Sequence, residues 1–167
     1  AWLVFAVAYI GAAVAGLWFT RSQDNGFLAS LLLFAAVWAT DIGGFVAGRS
    51  IGGPKIAPRI SPNKTWAGYV GAIVATVLVV FAALSWQFDA MPWDWHPVTL
   101  ALYGSACMAV ATVAQAGDFF ESWLKRRAGM KDSGSLIPGH GGLFDRVDGL
   151  LPVAAIFPPL LQIVSHP

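Results

Sequence analysis

The chain has 167 residues, of which 57% are hydrophobic and 11% charged, with a formal net charge of +1. A soluble globular domain carries about 25% charged residues, so the composition excludes that class. Apolar runs near 20 residues recur, each long enough at about 1.5 Å per residue to cross a hydrocarbon core of about 30 Å. The short alternating segments of a membrane β-barrel are missing. The expected fold class is all-α: a polytopic transmembrane helical bundle.

The first span is expected over 2–19, with Gly11 and Gly16 as small residues where another helix can approach. The chain opens at Ala1 inside this apolar run, with neither a Met nor a basic segment ahead of it. A cleaved signal peptide explains that poorly. Residues 1–167 are therefore expected to be a single integral membrane domain from the C-terminal part of a longer protein. After a polar turn, Arg21 to Gly26, the second span covers 27–47 and carries Asp41, followed by Gly43 and Gly44. An acid at that depth faces the bundle interior or a water-filled cavity, unless it snorkels from a helix end.

Residues 48–65 are dense in Gly and Pro, which forbids a continuous helix. This structured loop bears Arg49, Lys55, Arg59 and Lys64 and no acid. Small residues let backbone N–H groups approach an anion, and the cations neutralise it. The Gly-Lys-Ser/Thr of a phosphate-binding P-loop is absent. An ordinary cytoplasmic loop explains the sign of the charge but not the Gly and Pro content.

The third span is expected over 67–86. Residues 87–97 contain Trp93, Trp95 and His96 with no Lys or Arg, and read as an interfacial aromatic belt on the opposite side. The fourth span covers 98–117. Cys107 within it is read as a small buried hydrophobe. From Phe119 to about Ala128 the helix is expected to run along the membrane surface. Phe119, Phe120, Trp123 and Leu124 share one face there, and Lys125, Arg126 and Arg127 lie among lipid headgroups. A Gly-rich loop follows, and a fifth span over 149–164 is bent or broken by Pro152, Pro158 and Pro159. Segments 48–66 and 118–148 hold nine of the ten basic residues. Two spans separate them, so both lie on one side, the cytoplasm.

Asp118, Asp145 and Asp148 are the candidate metal-binding carboxylates. Asp145 and Asp148 are three apart and share a face if helical, and Asp118 ends a span at the same membrane surface. Hard oxygen ligands suit Mg²⁺, and a cation pair is a familiar device for phosphoryl displacement. Arg49, Lys55, Arg59, Lys64, Lys125, Arg126 and Lys131 are placed to hold phosphates. One Cys and three scattered His supply no zinc site, and no nucleophile elbow is present. His140 reads equally as a general base or phosphate donor and as a turn residue.

Ser122, Lys125-Arg126, Lys131-Asp132, Pro138, His140-Gly141-Gly142 and Asp145-Arg146-x-Asp148 together resemble the signature of the phosphatidate cytidylyltransferases, the CDP-diacylglycerol synthases. Asp41, Gly48-Arg49 and Ser61-Pro62-Asn63-Lys64-Thr65-x-x-Gly68 are similar to a second motif of that family. The resemblance covers roughly 41–148. It implies a membrane enzyme that joins CTP to phosphatidate drawn from the bilayer, giving CDP-diacylglycerol and pyrophosphate. It also implies Mg²⁺, with a second cation such as K⁺ allowed for, and a homodimer in the inner membrane with cytoplasmic site loops. No nucleic-acid partner is expected. Carried over, Asp118, Asp145 and Asp148 are catalytic metal-site acids, and Lys131 and His140 act beside them. Arg49, Ser61, Lys64, Thr65, Ser122, Lys125, Arg126 and Arg146 contact substrate. The rival readings are a related membrane nucleotidyl or polyprenol phosphotransferase and an ion-coupled transporter using Asp41 and Asp118.

Overall fold

A computed structural model describes residues 2–88, 96–130, 142 and 144–165, with 163–165 described by backbone alone. Five helices carry the fold: α1 (Trp2–Arg21), α2 (Gly26–Ser50), α3 (Trp66–Phe88), α4 (Pro97–Arg127) and α5 (Leu150–Ser165). A small antiparallel hairpin, β1 (Lys55–Ala57) and β2 (Ser61–Thr65), lies between α2 and α3, with Lys55 opposite Thr65 and Ala57 opposite Ser61. The all-α bundle expected from composition is therefore correct, with the hairpin as a minor addition.

Among the described residues, four helices are long and apolar enough to cross a membrane: α1, α2, α3 over residues 66–87, and α4. The fifth is apolar but has 16 residues, about 24 Å of helix, which is short of a full hydrocarbon core. Pro152 falls in its first turn, where a missing N–H costs nothing, and Pro158 and Pro159 lie within it without ending it. The fourth span and the helix expected from Phe119 to about Ala128 form one element, α4, which runs unbroken for 31 residues and ends where Gly129, at φ +67°, closes a left-handed cap. There Met130 N donates to Lys125 O and Gly129 N to Arg126 O. The belt expected at 87–97 lies mostly outside the described residues. Of it, His96 accepts a hydrogen bond from Val98 N at 3.3 Å and caps α4.

Apolar side chains point outward along the helices. Leu3, Val7 and Trp18 of α1, Ile42 of α2, and Leu78 and Trp86 of α3 are all more than half exposed. In water such a surface would aggregate; a lipid phase is the solvent it fits. Inside, Leu33, Val37, Val110, Ala114, Val153 and Phe157 form a shared core.

The most extensive packing is between α2 and α3, and small residues make it possible. A Cβ on Gly71 would fall 2.2 Å from the Ala47 Cβ, and one on Gly43 would fall 2.4 Å from the Ala75 Cβ. Without a hydrophobic drive between helices in lipid, such backbone approach and interhelical hydrogen bonds hold the bundle. Thr40 and Thr76 supply one bond, their hydroxyls 2.8 Å apart and buried.

Gly71→Leu should therefore separate α2 from α3 and destabilise the protein by about 1–3 kcal/mol, the usual range for overpacking. Gly104, in the middle of α4, has no heavy atom within 4 Å of a built Cβ. Gly104→Ala should leave stability unchanged or raise it by up to about 1 kcal/mol. Thermal unfolding in detergent checks both. Equal effects would show that the glycines at the α2–α3 contact are not what sets it.

Candidate active site

The helix directions bring five ends together: the N-terminal ends of α1, α3 and α5, and the C-terminal ends of α2 and α4. At that end the bundle opens into a cavity of about 660 Å³. Asp41, Phe45 and Arg49 line it from α2, and Lys55, Asn63, Lys64 and Thr65 from the hairpin. Tyr69 of α3, Gln115 and Asp118 of α4, and Asp145 and Asp148 complete the wall. Gly44, Gly48 and Gly68 form part of its surface because α2 and α3 touch there through backbone.

Several of the charged groups are held by an identifiable local cause. Lys64 leaves the second strand of the hairpin and reaches Asp118 of α4, Nζ to Oδ2 2.5 Å, with its ammonium 4.7 Å from the Phe119 ring centroid. The bond spans 54 positions and joins the two polar segments. Thr65 is buried, and its hydroxyl accepts a hydrogen bond from Gly68 N at 3.1 Å, capping α3. Arg49 lies 5.8 Å over the Phe45 ring.

Asp145 and Asp148 occupy a 3-10 turn, Phe144–Arg146, and the bend after it. Asp145 Oδ1 accepts from Lys125 Nζ at 2.7 Å and its Oδ2 from Gly142 N at 2.8 Å. Lys125 Nζ also donates to Glu121 Oε2 at 3.0 Å. Asp148 reaches the cavity because α4 lacks a side chain at Gly117. A Cβ there would stand 2.3 Å from Asp148 O and 2.7 Å from the Pro152 ring. The bend thus sits against the backbone of α4, one residue from Asp118.

Burial, and then the charge of Asp118, push the Asp148 carboxyl up to about 6. Three acids, Asp41, Asp118 and Asp148, act on one another across the cavity, and Lys64 neutralises only part of that charge. Among the described residues no three acid, His or Cys side chains converge closely enough to enclose a metal ion. That is compatible with Mg²⁺, which commonly takes one or two carboxylates and fills its octahedron with water and phosphate oxygens. The donor set is all oxygen and carries surplus negative charge, so it fits a hard divalent cation.

The structure brings Arg49, Lys64, Thr65, Asp118, Asp145 and Asp148 onto one cavity. Ser61, Ser122, Lys125, Arg126 and Arg146 do not line it, although Lys125 holds Asp145. Lys131 and His140 lie outside the described residues. Sequence reasoning missed Phe45, Tyr69, Gln115 and Glu121. Two of these had a signal: Gln115 is three positions before Asp118, and Glu121, the only glutamate in the chain, is four before Lys125.

Residues 1–164 match a family described as the cytidylyltransferase family. The chain is 44% identical over 156 residues to the phosphatidate cytidylyltransferase of Brucella suis, covering 93% of this chain and 55% of that protein. It is 36% identical over 141 residues to that of Haemophilus influenzae, covering 83% and 47%. It is 36% identical over 165 residues to that of Staphylococcus saprophyticus, covering 98% and 58%. The chain spans about half the length of the curated relatives it matches. A match along almost its whole length, over a cavity built from the residues of both motifs, makes this chain a member of the cytidylyltransferase family.

Proposed function

We propose that the full-length protein transfers the cytidylyl group of CTP to phosphatidate, giving CDP-diacylglycerol and pyrophosphate, at the cytoplasmic face of the inner membrane. The observation that carries this reading is the cavity itself. Cations from one polar segment and acids from another meet there, at one end of an apolar bundle. The names of the relatives at 36–44% identity support the choice of substrates. Mg²⁺ would be held by one or two of Asp118, Asp145 and Asp148, with any second cation such as K⁺ beside it. When bound, it would supply charge neutralisation to the triphosphate.

The reaction forms a bond from a phosphatidate oxygen to the α-phosphorus of CTP and breaks the bond from that phosphorus to the bridging oxygen of pyrophosphate. Its difficulty is the approach of two polyanions, so binding and orientation do most of the work. Arg49, Lys55 and Lys64 face the cavity and supply three positive charges to the phosphates. Lys64 can exchange Asp118 for a phosphate oxygen without leaving its position. The attacking oxygen needs no strong base, because a phosphomonoester loses its second proton near pH 6. Lys131 and His140 belong to the same proposal as donors to the leaving pyrophosphate. A lipid tethered in the bilayer diffuses laterally and presents only its headgroup, which accounts for a site at the end of the helices.

Turnover of CTP with phosphatidate by the full-length protein is the direct test. Asp118→Asn, Asp145→Asn and Asp148→Asn should each lower it by about 10²-fold or more, and added Mg²⁺ should recover little. Chelating Mg²⁺ should silence the wild type. A wild type that consumes no CTP but passes ions across sealed liposomes in response to a potential would overturn the transferase reading.

The Asp148 carboxyl, at about 6 against 3.8 for the ordinary group, gives a pH dependence with a defined sign. Folding favours its protonated form, so the ligand-free protein should lose stability as pH rises from about 4 to about 6. Turnover needs the ionised form and should move the other way, falling as pH drops through about 6. Raised Mg²⁺ competes with the proton and should shift that limb to lower pH. An acid limb indifferent to Mg²⁺ would remove Asp148 from the cation site.

The sidedness is tested separately. On a Cys107→Ala background, single cysteines at 52 and 129 should be labelled from the cytoplasm alone, and one at 88 from the outside alone. Labelling of 52 and 129 from opposite sides would contradict a composite site.

A further inference from the structure

Glu121 has no part in either sequence motif, yet it is the most deeply buried charged side chain described at the site, with 2% of its surface exposed. A buried carboxylate is costly unless it is paired, and this one is incompletely paired. Its Oε2 accepts from Lys125, while its Oε1 is buried with no hydrogen-bond partner among the described residues. Its carboxyl also lies within hydrogen-bonding reach of the carboxyls of Asp145 and Asp148. The lysine it meets is the one that grips Asp145.

The geometry points to Glu121 as a positioning residue: it fixes the Lys125 ammonium, which in turn sets the Asp145 carboxylate on the cavity wall. Lys125 is a long, flexible side chain that could meet Asp145 in many rotamers. A carboxylate one helical turn earlier, in the favourable order Glu then Lys, removes that freedom. With one N–H aimed at Glu121 and another at Asp145, the ammonium bridges α4 to the 3-10 turn. Gly142 N holds the other oxygen of Asp145. For neutralising Lys125, Asp145 alone suffices; the second, buried carboxylate adds direction. This inference rests on the transferase reading for its assay.

A double-mutant cycle tests it in the full-length protein. Glu121→Gln keeps the shape and removes the charge, and should lower kcat/KM for CTP by about tenfold while the melting temperature in detergent stays near that of the wild type. On a Lys125→Gln background the same change should cost less than about twofold, because the residue it acts through is gone. As a binding readout, the rise in melting temperature on adding CTP and Mg²⁺ without phosphatidate should shrink in Glu121→Gln and in Lys125→Gln to a similar degree. If Glu121→Gln fails to fold, Glu121→Asp reads the same cycle, since it keeps the charge but withdraws it by one methylene. Equal losses on both backgrounds would overturn the inference and give Glu121 a role that does not pass through Lys125. Wild-type rates in Glu121→Gln would overturn it too. An inactive wild type would instead count against the transferase reading.

Discussion

A charge left unpaired at the edge of an apolar bundle is too costly to keep, and the arrangement of this molecule follows from meeting that constraint with a single helix. α4 carries Asp118 toward the hairpin and Lys125 toward the 3-10 turn. The first polar segment is drawn in by its lysine and the second by its aspartate. The charge pairs that satisfy α4 also close the cavity.

The same pairs keep the site in a state suited to polyanions. Lys64 and Lys125 each sit on a carboxylate, so the acids are partly neutralised without substrate. An arriving phosphate can compete for Lys64, which lines the cavity, whereas Lys125 stands outside the lining with a carboxylate on two sides. Two lysines alike in sequence thereby take different parts: one faces ligand and the other holds protein. Glycine is the second requirement. At Gly117 and at the α2–α3 contact, backbone meets backbone, and any side chain would push Asp148 or the hairpin out of reach.

The polar positions of the two motifs divide accordingly. Arg49, Lys64 and the three aspartates converge on the cavity, while Ser61, Ser122, Arg126 and Arg146 lie off its lining. A motif records which residues recur together, and position within it does not say which of them meet ligand. Lys125 illustrates this: its place beside Arg126 suggests a substrate contact, and its bonds go to Glu121 and Asp145.

The bundle was legible in the sequence because lipid leaves so few alternatives. A chain this apolar must satisfy its backbone within helices, and runs near 20 residues set their number and rough limits. Nine of ten basic residues in two segments likewise announced a shared, charged locus. What the sequence could not carry was reach. Period and spacing describe neighbours on one element, so they could have shown the i,i+4 relation of Glu121 and Lys125, which the reading missed, but not the bond across 54 positions from Lys64 to Asp118. They split the fourth span, 98–117, from a surface helix over Phe119 to about Ala128, where one continuous helix, Pro97–Arg127, carries both. Only the packed structure decides that, because the close approach at Gly117 and the salt bridges beyond it depend on which helices touch, and no local pattern encodes that choice.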